Sequence, residues 1–445
     1  MDYARPRLPK NHSVGFELEA FLVDGEGGLL NAASATGRSL RGKNPFAFEV
    51  ADSMLEFNSA PRQWAVGSVK SLLEKTALTQ RALDKRGYLL LPAGTYPGRS
   101  QPALNSKPWY EAQSAIIGPL FSYYASRVCG FHFHFCLPKA ALMPGSRSLR
   151  VYKKHDLRRR VLYIYNFMVA ADPALSTLMQ CSPFFEGMLL GKSSRLLAYR
   201  DLKLPNVEGL YHNFPEFGGL PRYEHTLTDI NEHASLRKRH WQEFERRASG
   251  RVSSALKRAN PFKFFWGPVR VNQVGTIEQR GMDANPPSMI LAASSGLNSV
   301  LKRIFYGELR VRQSDDAIAR PFSIEGDSIL VPPFSYVSRT LQPASAIKGL
   351  EDARVAKYCA AYYRLANSLQ KTDGTAKLNA PFQSMLLRGR TQSDDMIKFA
   401  MRRGFRKGAE LEADTAREIA LVRAQEFRKE SEDFPDLARE FRDYL

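Results

Sequence analysis

Four short segments of this chain carry carboxylates and histidines at spacings that suit one divalent-metal site. They contain Glu17 and Glu19, Glu49 and Glu56, His132 and His134, and Glu278 and Arg280. In a β-strand, residues two apart lie on the same face, so Glu17 and Glu19 would stand side by side, as would the two histidines. Like charges that close need a cation between them. The spacing therefore indicates a bound cation.

The donor types favour magnesium or manganese over zinc. Sites rich in oxygen with an occasional imidazole suit these ions, which hold nucleotide phosphates, whereas zinc more often recruits cysteines. The four cysteines are scattered without C-x-x-C spacing, which predicts reduced thiols; they are Cys129, Cys136, Cys181 and Cys359. The first inference is therefore nucleotide-dependent chemistry with Mg²⁺ or Mn²⁺ as cofactor.

Strands are predicted at each of these segments. Residues 13–24 form a strand pattern with one apolar face and a second face that mixes carboxylates with apolar groups. Residues 46–58 predict a hairpin with a turn near Asp52, across which Glu49 and Glu56 would face each other. Residues 128–137 are the most regular strand, and 262–280 predict two more.

The rest of the chain predicts helices around this sheet. Helices are expected near 66–86, 157–171, 226–249, 287–306 and 351–370, and a long loop at 92–109. Strands with long helices between them, but without tight alternation, indicate an α+β fold. After about residue 380 the composition becomes charged, Ala-rich and helical. This change predicts a catalytic domain at 1–380 and a charged helical C-terminal segment at 381–445.

Composition bounds the location and the partners of this protein. No run approaches the length of a membrane span, and the first residues lack the apolar core of a signal peptide, which predicts a cytoplasmic protein. The formal charge of +19 could draw nucleic acid, an anionic surface, or acidic substrates and ATP. No recognisable nucleic-acid module is present, so nucleic acid is disfavoured as a partner. The sequence leaves a homo-oligomer open.

Each motif also has an explanation without chemistry. The two glutamates of residues 13–24 could lie on an exposed strand face, and Glu49 and Glu56 on a surface hairpin. The histidines could be a hydrogen-bonded pair on a half-buried strand, and Glu278 with Arg280 a simple ion pair. Joint occurrence of all four motifs favours the metal site.

The order of these motifs resembles the glutamate-cysteine ligase family, and within it the carboxylate-amine ligase branch. The matching segments are Gly15 to Glu19, the glutamates at 49 and 56, residues 91–97 (LPAGTYP), 129–134 (CGFHFH), 181–187 (CSPFFEG), 193–195 (SSR) and 277–283 (IEQRGMD). The resemblance spans roughly residues 13 to 305. Two departures are Gln279, where an apolar residue is usual, and the loop after Pro97, which shows no matching pattern.

The resemblance implies a fold like glutamine synthetase, in which a curved antiparallel sheet forms a funnel with helices outside. It also implies metal ligands and a phosphoryl-binding arginine. The ligands would be Glu17, Glu19, Glu49, Glu56, His132 and Glu278. Arg280 falls on the family's arginine near the transferred phosphoryl group, and Arg195 would contact the nucleotide. His134 and Asp283 lie within matching motifs without an assigned role.

These inferences predict an ATP-dependent carboxylate-amine ligase that forms an amide through an acyl phosphate. The expected donor is glutamate or a related acid, and the acceptor is an amino acid such as cysteine or another amine, with ATP as cosubstrate. No protein nucleophile is required. Two other functions stay open: a metal-dependent amide hydrolase or phosphotransferase on the same scaffold, and a non-catalytic protein that binds anions or nucleic acid.

Overall fold

The computed structural model describes residues 12–40, 45–138, 141, 148–150, 155–204 and 207–445. Its strands, in chain order, are β1 Val14–Val23, β2 Ala47–Phe48, β3 Met54–Asn58, β4 Leu89–Leu91, β5 Gly130–Cys136, β6 Phe184–Phe185, β7 Met188–Leu189, β8 Lys203–Leu204, β9 Val207–Glu208, β10 Val269–Asn272, β11 Thr276–Asp283, β12 Arg310–Gln313, β13 Ile324–Glu325 and β14 Ser328–Val331.

The α-helices, in chain order, are α1 Ala33–Ser39, α2 Ala65–Asp84, α3 Pro108–Ile117, α4 Pro119–Ala125, α5 His155–Leu178, α6 Ser194–Tyr199, α7 Pro215–Gly218, α8 Leu227–Ser249, α9 Ser254–Arg258, α10 Pro287–Tyr306, α11 Asp316–Ala319, α12 Phe334–Tyr336, α13 Gln342–Lys348, α14 Ala353–Asp373, α15 Ala380–Arg388, α16 Gln392–Arg402 and α17 Ala413–Glu440. Short 3₁₀ turns and one π-helical turn, Val337–Leu341, connect some of them. The mixture confirms the predicted α+β class.

Seven strands form one antiparallel sheet, in the order β10-β11-β5-β1-β3-β2, with β4 also paired to β1. One face of this sheet is apolar and fully buried. It carries Phe16 and Leu18 of β1 and Phe131, Phe133 and Phe135 of β5. Helices α2, α5 and α10 pack on the sheet and complete the core. Because successive strand residues alternate between faces, the glutamates and histidines of the same strands point away from this core.

Removal of one core phenylalanine tests this arrangement. The Phe133 side chain is fully buried, and its ring lies 5.6 Å from that of Phe16. We expect Phe133→Ala to lower the free energy of unfolding by about 3–5 kcal/mol, because it leaves a cavity. Phe48→Ala, at a 38% exposed position, is the control and should cost far less. Equal losses in denaturant unfolding would contradict the assignment of the two faces.

Local signals in the sequence explain where the helices begin and end. Thr226 and Asp229 form a reciprocal capping box at the start of α8, and Gly250 in the left-handed conformation (φ 75°) ends it.

The helices α2, α8 and α10 confirm three of the predicted ranges closely. Helices α3 and α4 were not predicted; α3 begins at Pro108, so the predicted loop at 92–109 is shorter by two residues.

Helix α5 is the one described helix that is long and apolar enough, over Asp156–Leu178, to cross a membrane by length and composition. Within its most apolar window, 83% of the helix is buried inside the protein. It packs against β11, α10 and α14. The helix is thus an interior element of this fold.

The C-terminal helices pack against the sheet and its neighbours. Helix α17 lies on β4, α2 and α10, and Ala424, Phe427 and Phe434 belong to the same apolar core as the sheet. Arg423 donates to Gln392 at the start of α16. The change in composition near residue 380 therefore does not coincide with a break in packing. The division into domains at that residue stays a prediction.

Candidate active site

Strands β1 and β5 bring two glutamates and two histidines together on the polar face of the sheet. Glu17 pairs with His132 in the antiparallel register, and its Oε2 lies 2.9 Å from His132 Nδ1. Its other oxygen lies 3.3 Å from Nε2 of His134. Glu19 Oε2 accepts a hydrogen bond of 2.6 Å from the backbone N–H of Gly130. The i, i+2 spacing thus places all four side chains on one face, as predicted.

Strand β3 and the segment before it add two more glutamates. Glu56 pairs with Glu19 across β1 and β3. In the hairpin, Glu56 pairs with Ala47 of β2, and Glu49 follows the end of that strand. Glu49 and Glu56 face each other as expected although they are not register partners, and oxygens of Glu19, Glu49 and Glu56 lie within 4.8 Å of one another.

Strands β10 and β11 add a glutamate held by two arginines. Glu278 is fully buried and pairs in register with His134 and Arg270. Arg270 Nε donates to its Oε2 at 2.6 Å, and Arg280 Nε lies 3.0 Å from its Oε1. Asn272 donates a further hydrogen bond of 2.7 Å. This carboxylate is therefore charged and held in one orientation.

The donor atoms fall into two groups. One group joins Glu17, His134 and Glu278, and the other joins Glu19, Glu49 and Glu56; within each, one donor atom per residue lies within 4.8 Å of the others. His132, predicted as a ligand, lies between the groups: its Nε2 is 3.9 Å from Glu19 Oε1. Among the described residues, Nε2 of His132 is buried without a hydrogen-bond partner, whereas Nε2 of His134 lies beside Glu17. The unpartnered nitrogen of His132 suits a cation.

The second group is electrostatically unfavourable without a cation. Burial and the charges of Glu56 and Glu19 raise the pKa of Glu49 well above its ordinary value. Burial, followed by the charges of Glu17 and Glu19, also raises the pKa of Glu56. A divalent cation among the three carboxylates would remove this repulsion.

The first group contains cations of its own. Burial opposes ionisation of Glu17, but hydrogen bonds from His132 and His134 outweigh it and hold the pKa of Glu17 well below its ordinary value. Burial also opposes ionisation of Glu278, yet the charges of Arg270 and Arg280 lower its pKa to about 2. The two groups therefore differ: neighbouring arginines and histidines lower the pKa values of Glu17 and Glu278 in the first, whereas burial and mutual repulsion raise those of Glu49 and Glu56 in the second.

Both groups adjoin a cavity of about 250 Å³. Arg195 and Arg280, the two arginines predicted to contact nucleotide and phosphoryl group, line it together with Arg270 and Lys263. Arg280 Nη1 is buried and has no hydrogen-bond partner within the described part of the chain. Part of the wall is aromatic and consists of Trp109, Tyr110, Phe121, Tyr199, Phe262 and Trp266. The cavity thus brings guanidinium groups, clustered carboxylates and aromatic side chains together.

Several cavity residues were missed from the sequence. Arg270 and Asn272 lie on a strand whose pairing with β11 is visible only in the fold. Trp109 and Tyr110 follow the long loop, whose length was the one signal available. His134 lies in a motif that matched the family but had no assigned role, and the structure places it in the first donor group.

The contacts of Asp283 and the burial of Cys129 indicate structural roles for these two residues. Asp283 is buried, and its Oδ2 accepts from the backbone N–H of Cys181 (2.9 Å) and from the hydroxyl of Ser182 (2.6 Å). A Cβ atom on Gly94 would lie 2.4 Å from its carboxyl carbon. Asp283 therefore ties three of the sequence motifs together. Burial raises the pKa of the Cys129 thiol well above its ordinary value, so this cysteine is not an activated nucleophile.

Comparison with known folds supports this architecture. A bifunctional glutathione synthetase from Pasteurella multocida superposes with a TM-score of 0.61 at 14% identity, over 94% of this chain and 52% of that protein. This chain spans about half the length of that protein. A glutamate-cysteine ligase from Francisella tularensis, in complex with AMP, superposes with a TM-score of 0.57 at 12% identity over 100% of both chains. At these identities the likeness shows the fold alone.

Sequence comparison identifies the family. Residues 13–413 match the model of glutamate-cysteine ligase family 2. The match extends past residue 305, where the resemblance was expected to end, and includes part of the C-terminal segment. No curated protein sequence matches this chain. The family match, the curved antiparallel sheet and the helices outside it agree with one another. The chain belongs to glutamate-cysteine ligase family 2.

Proposed function

We propose that this protein joins a carboxylic acid to an amine through an acyl phosphate formed with ATP. Glutamate or a related acid is the proposed donor, and an amino acid or another amine is the proposed acceptor. The observation that carries this proposal is the pair of donor groups beside a cavity that Arg195 and Arg280 also line. Carboxylates for cations and guanidinium groups for phosphates are what phosphoryl transfer needs.

The proposed cofactor is Mg²⁺ or Mn²⁺. Glu17, His134 and Glu278 would hold one ion and Glu19, Glu49 and Glu56 another, with His132 Nε2 facing the second group. Burial and the neighbouring carboxylates raise the pKa of Glu49, and the buried Nε2 of His132 has no partner among the described residues; both observations support the fit. When bound, such ions neutralise the charge that develops on the phosphates during transfer.

Phosphorylation of the acid would make it reactive. A carboxylate oxygen attacks the γ-phosphorus of ATP, the bond to the ADP oxygen breaks, and an acyl phosphate forms. The amine nitrogen then attacks the acyl carbon, the bond to the phosphate oxygen breaks, and phosphate leaves while the nitrogen loses a proton. Arg280 would meet the phosphoryl oxygens with a forked donor that keeps its charge, because the adjacent Glu278 overcomes burial and raises the arginine pKa.

The aromatic wall would protect the intermediate. An acyl phosphate hydrolyses if water reaches it, so the site must exclude water until the amine arrives. Trp266 is mostly buried, and the ring of Trp109 lies 6.1 Å from it. These rings line the same cavity as the carboxylates. Their surface would favour the amine over water at the acyl carbon.

A cytoplasmic location is proposed with this function. All four cysteines are free thiols, one of them half-buried and three buried. Free thiols are typical of reducing compartments. ATP, the proposed cosubstrate, also fits such a compartment.

Release of ADP tests the proposal. Purified protein would be incubated with Mg²⁺, ATP and glutamate, with and without pools of amino acids and amines, and with EDTA as a further control. We expect release that requires the metal, the acid and the amine together. Release without an amine would instead indicate a phosphotransferase, and amide cleavage without ATP an amide hydrolase. Absence of release with every acid and amine would contradict the proposal.

A further inference from the structure

We propose that Asp172 is a positioning residue for the two arginines that line the cavity, Arg195 and Arg280. Asp172 lies in α5, on the opposite side of the sheet from the cavity, and touches neither donor group. The inference rests on the proposed function for the role of the arginines themselves. It is carried by a chain of contacts from one buried carboxylate to both guanidinium-bearing segments.

The surroundings of Asp172 are unusual for a core position. Its side chain is fully buried, and it accepts hydrogen bonds from Arg200 Nη1 (2.7 Å) and Nη2 (3.2 Å). Gln279 donates at 2.8 Å, Ser176 at 3.3 Å and Gln342 at 3.4 Å. Apolar residues of similar volume often stabilise a core as well as a buried ion pair does. Stability alone therefore does not explain why a charge lies here.

The first connection runs to Arg280 through its neighbour in β11. The Nε2 group of Gln279 donates to Asp172 on the apolar side of the sheet, which holds this side chain inward. Because strand residues alternate, the next residue, Arg280, is then directed to the cavity. This connection also explains the polar residue at 279, where the family pattern has an apolar one.

A β-bulge strengthens this connection. The register of β11 against β5 shifts between Gln279 and Met282, and bulges re-aim side chains beside sites. Gly281 lies in the bulge, and a Cβ atom there would come within 2.0 Å of Asp172 Oδ1. Its carbonyl accepts from the hydroxyl of Ser176, which also donates to Asp172. The carboxylate thus packs directly against the bulge.

The second connection runs to Arg195 through Arg200. Arg200 follows the last residue of α6, and Arg195 lies within the same short helix. The ion pair of Arg200 with Asp172 anchors the end of that helix. Arg195 Nη2 in turn donates to the carbonyl of Arg280 at 3.2 Å. One carboxylate therefore holds both segments whose arginines enter the cavity.

The variant Asp172→Asn separates positioning from folding. We expect kcat of the ADP-release reaction to fall by about 10–100-fold, the range for residues that orient groups at a site, with KM for ATP changed far less. In an Arg280→Lys background, Asp172→Asn should lower kcat by less than about threefold, because the effects of coupled residues are not additive. Full additivity, or a loss confined to KM, would overturn the inference.

A matched control is available at Asp373. This carboxylate is also buried, and it pairs with Lys302 (2.6 Å) and Arg303 (3.0 Å) away from the cavity. Asp373→Asn should lower the melting temperature without changing kcat. Equal losses of kcat in both variants would show a general effect of destabilisation and would overturn the inference.

A second variant keeps the test decisive if Asp172→Asn does not fold. Gln279→Met removes the amide that joins β11 to Asp172 but leaves the ion pair with Arg200, and it should lower kcat by about 10-fold. If Arg280→Gln has wild-type turnover, the proposed function of Arg280 is wrong. If Arg280→Gln is inactive while Gln279→Met and every folded Asp172 variant have wild-type kcat, only the positioning inference is overturned.

Discussion

The Glu19→Gln variant is expected to fold like the wild-type protein and to lose ATP turnover by about 100-fold or more, since ligand loss exceeds the effect of changes around a metal. The amide keeps an oxygen that can still accept from the backbone N–H of Gly130, now bonded at 2.6 Å. It removes the charge that would hold a cation with Glu49 and Glu56. Glu19→Gln therefore removes a proposed metal ligand while the hydrogen bond from Gly130 is kept.

A Glu278 variant is less suitable for testing the metal assignment without a change in folding. Glu278 is fully buried and balances Arg270 and Arg280, so its replacement would leave two guanidinium groups without their counter-charge.

For Glu19→Gln, the matched control is Glu26→Gln, in the exposed turn that follows β1, which should have wild-type turnover. Both rates would be measured as ADP release, with circular dichroism to confirm folding. Wild-type turnover in Glu19→Gln would refute the metal assignment.

The Glu49→Gln variant should be more stable than the wild-type protein without metal and yet have at least about 10–100-fold lower turnover. Burial and the neighbouring Glu56 and Glu19 raise the pKa of Glu49 above its ordinary value of 4.5, so its charged form is repelled in the folded protein. An amide removes that repulsion and can donate a hydrogen bond to either neighbour. It also removes one donor from the proposed cation site.

The sign of the pH dependence follows from the direction of this shift. A raised pKa means that the folded protein binds the proton more tightly than the unfolded chain, so wild-type stability falls as pH rises through the raised value. The advantage of Glu49→Gln should therefore be small near pH 4.5, the ordinary pKa, and should grow toward neutral pH.

Melting temperatures in EDTA and in Mg²⁺ would test this prediction. Added Mg²⁺ should stabilise the wild type but not the variant. Glu111→Gln, an exposed position in α3, should change neither quantity. A variant that is less stable than the wild type in EDTA at neutral pH would contradict the electrostatic account.

Much of the site could be predicted because its signals are local. Glu17 with Glu19, and His132 with His134, are two residues apart, and strand geometry alone puts each pair on one face. The residues between them, Leu18 and Phe133, identify the buried face of the same strands. The predicted range 226–249 agrees with α8, which Gly250 ends in the left-handed conformation.

What could not be predicted depends on contacts between distant segments. The register partner of Glu56 in β2 is Ala47, two residues before Glu49, and the hairpin pattern does not encode this register. Arg270 joins Glu278 only because β10 pairs with β11 in one register. The packing of α17 on β4 joins residues more than 300 positions apart, which a change of composition cannot reveal.

Oxygen transfer from the acid to phosphate tests the central claim most directly. Acid labelled with ¹⁸O in its carboxylate would be converted with ATP, Mg²⁺ and the amine that supports ADP release, and the released phosphate would be analysed by mass spectrometry. An acyl phosphate requires one carboxylate oxygen to leave with the phosphate, so we expect one ¹⁸O in phosphate for each amide formed. Phosphate without the label, despite amide formation, would contradict the proposed reaction.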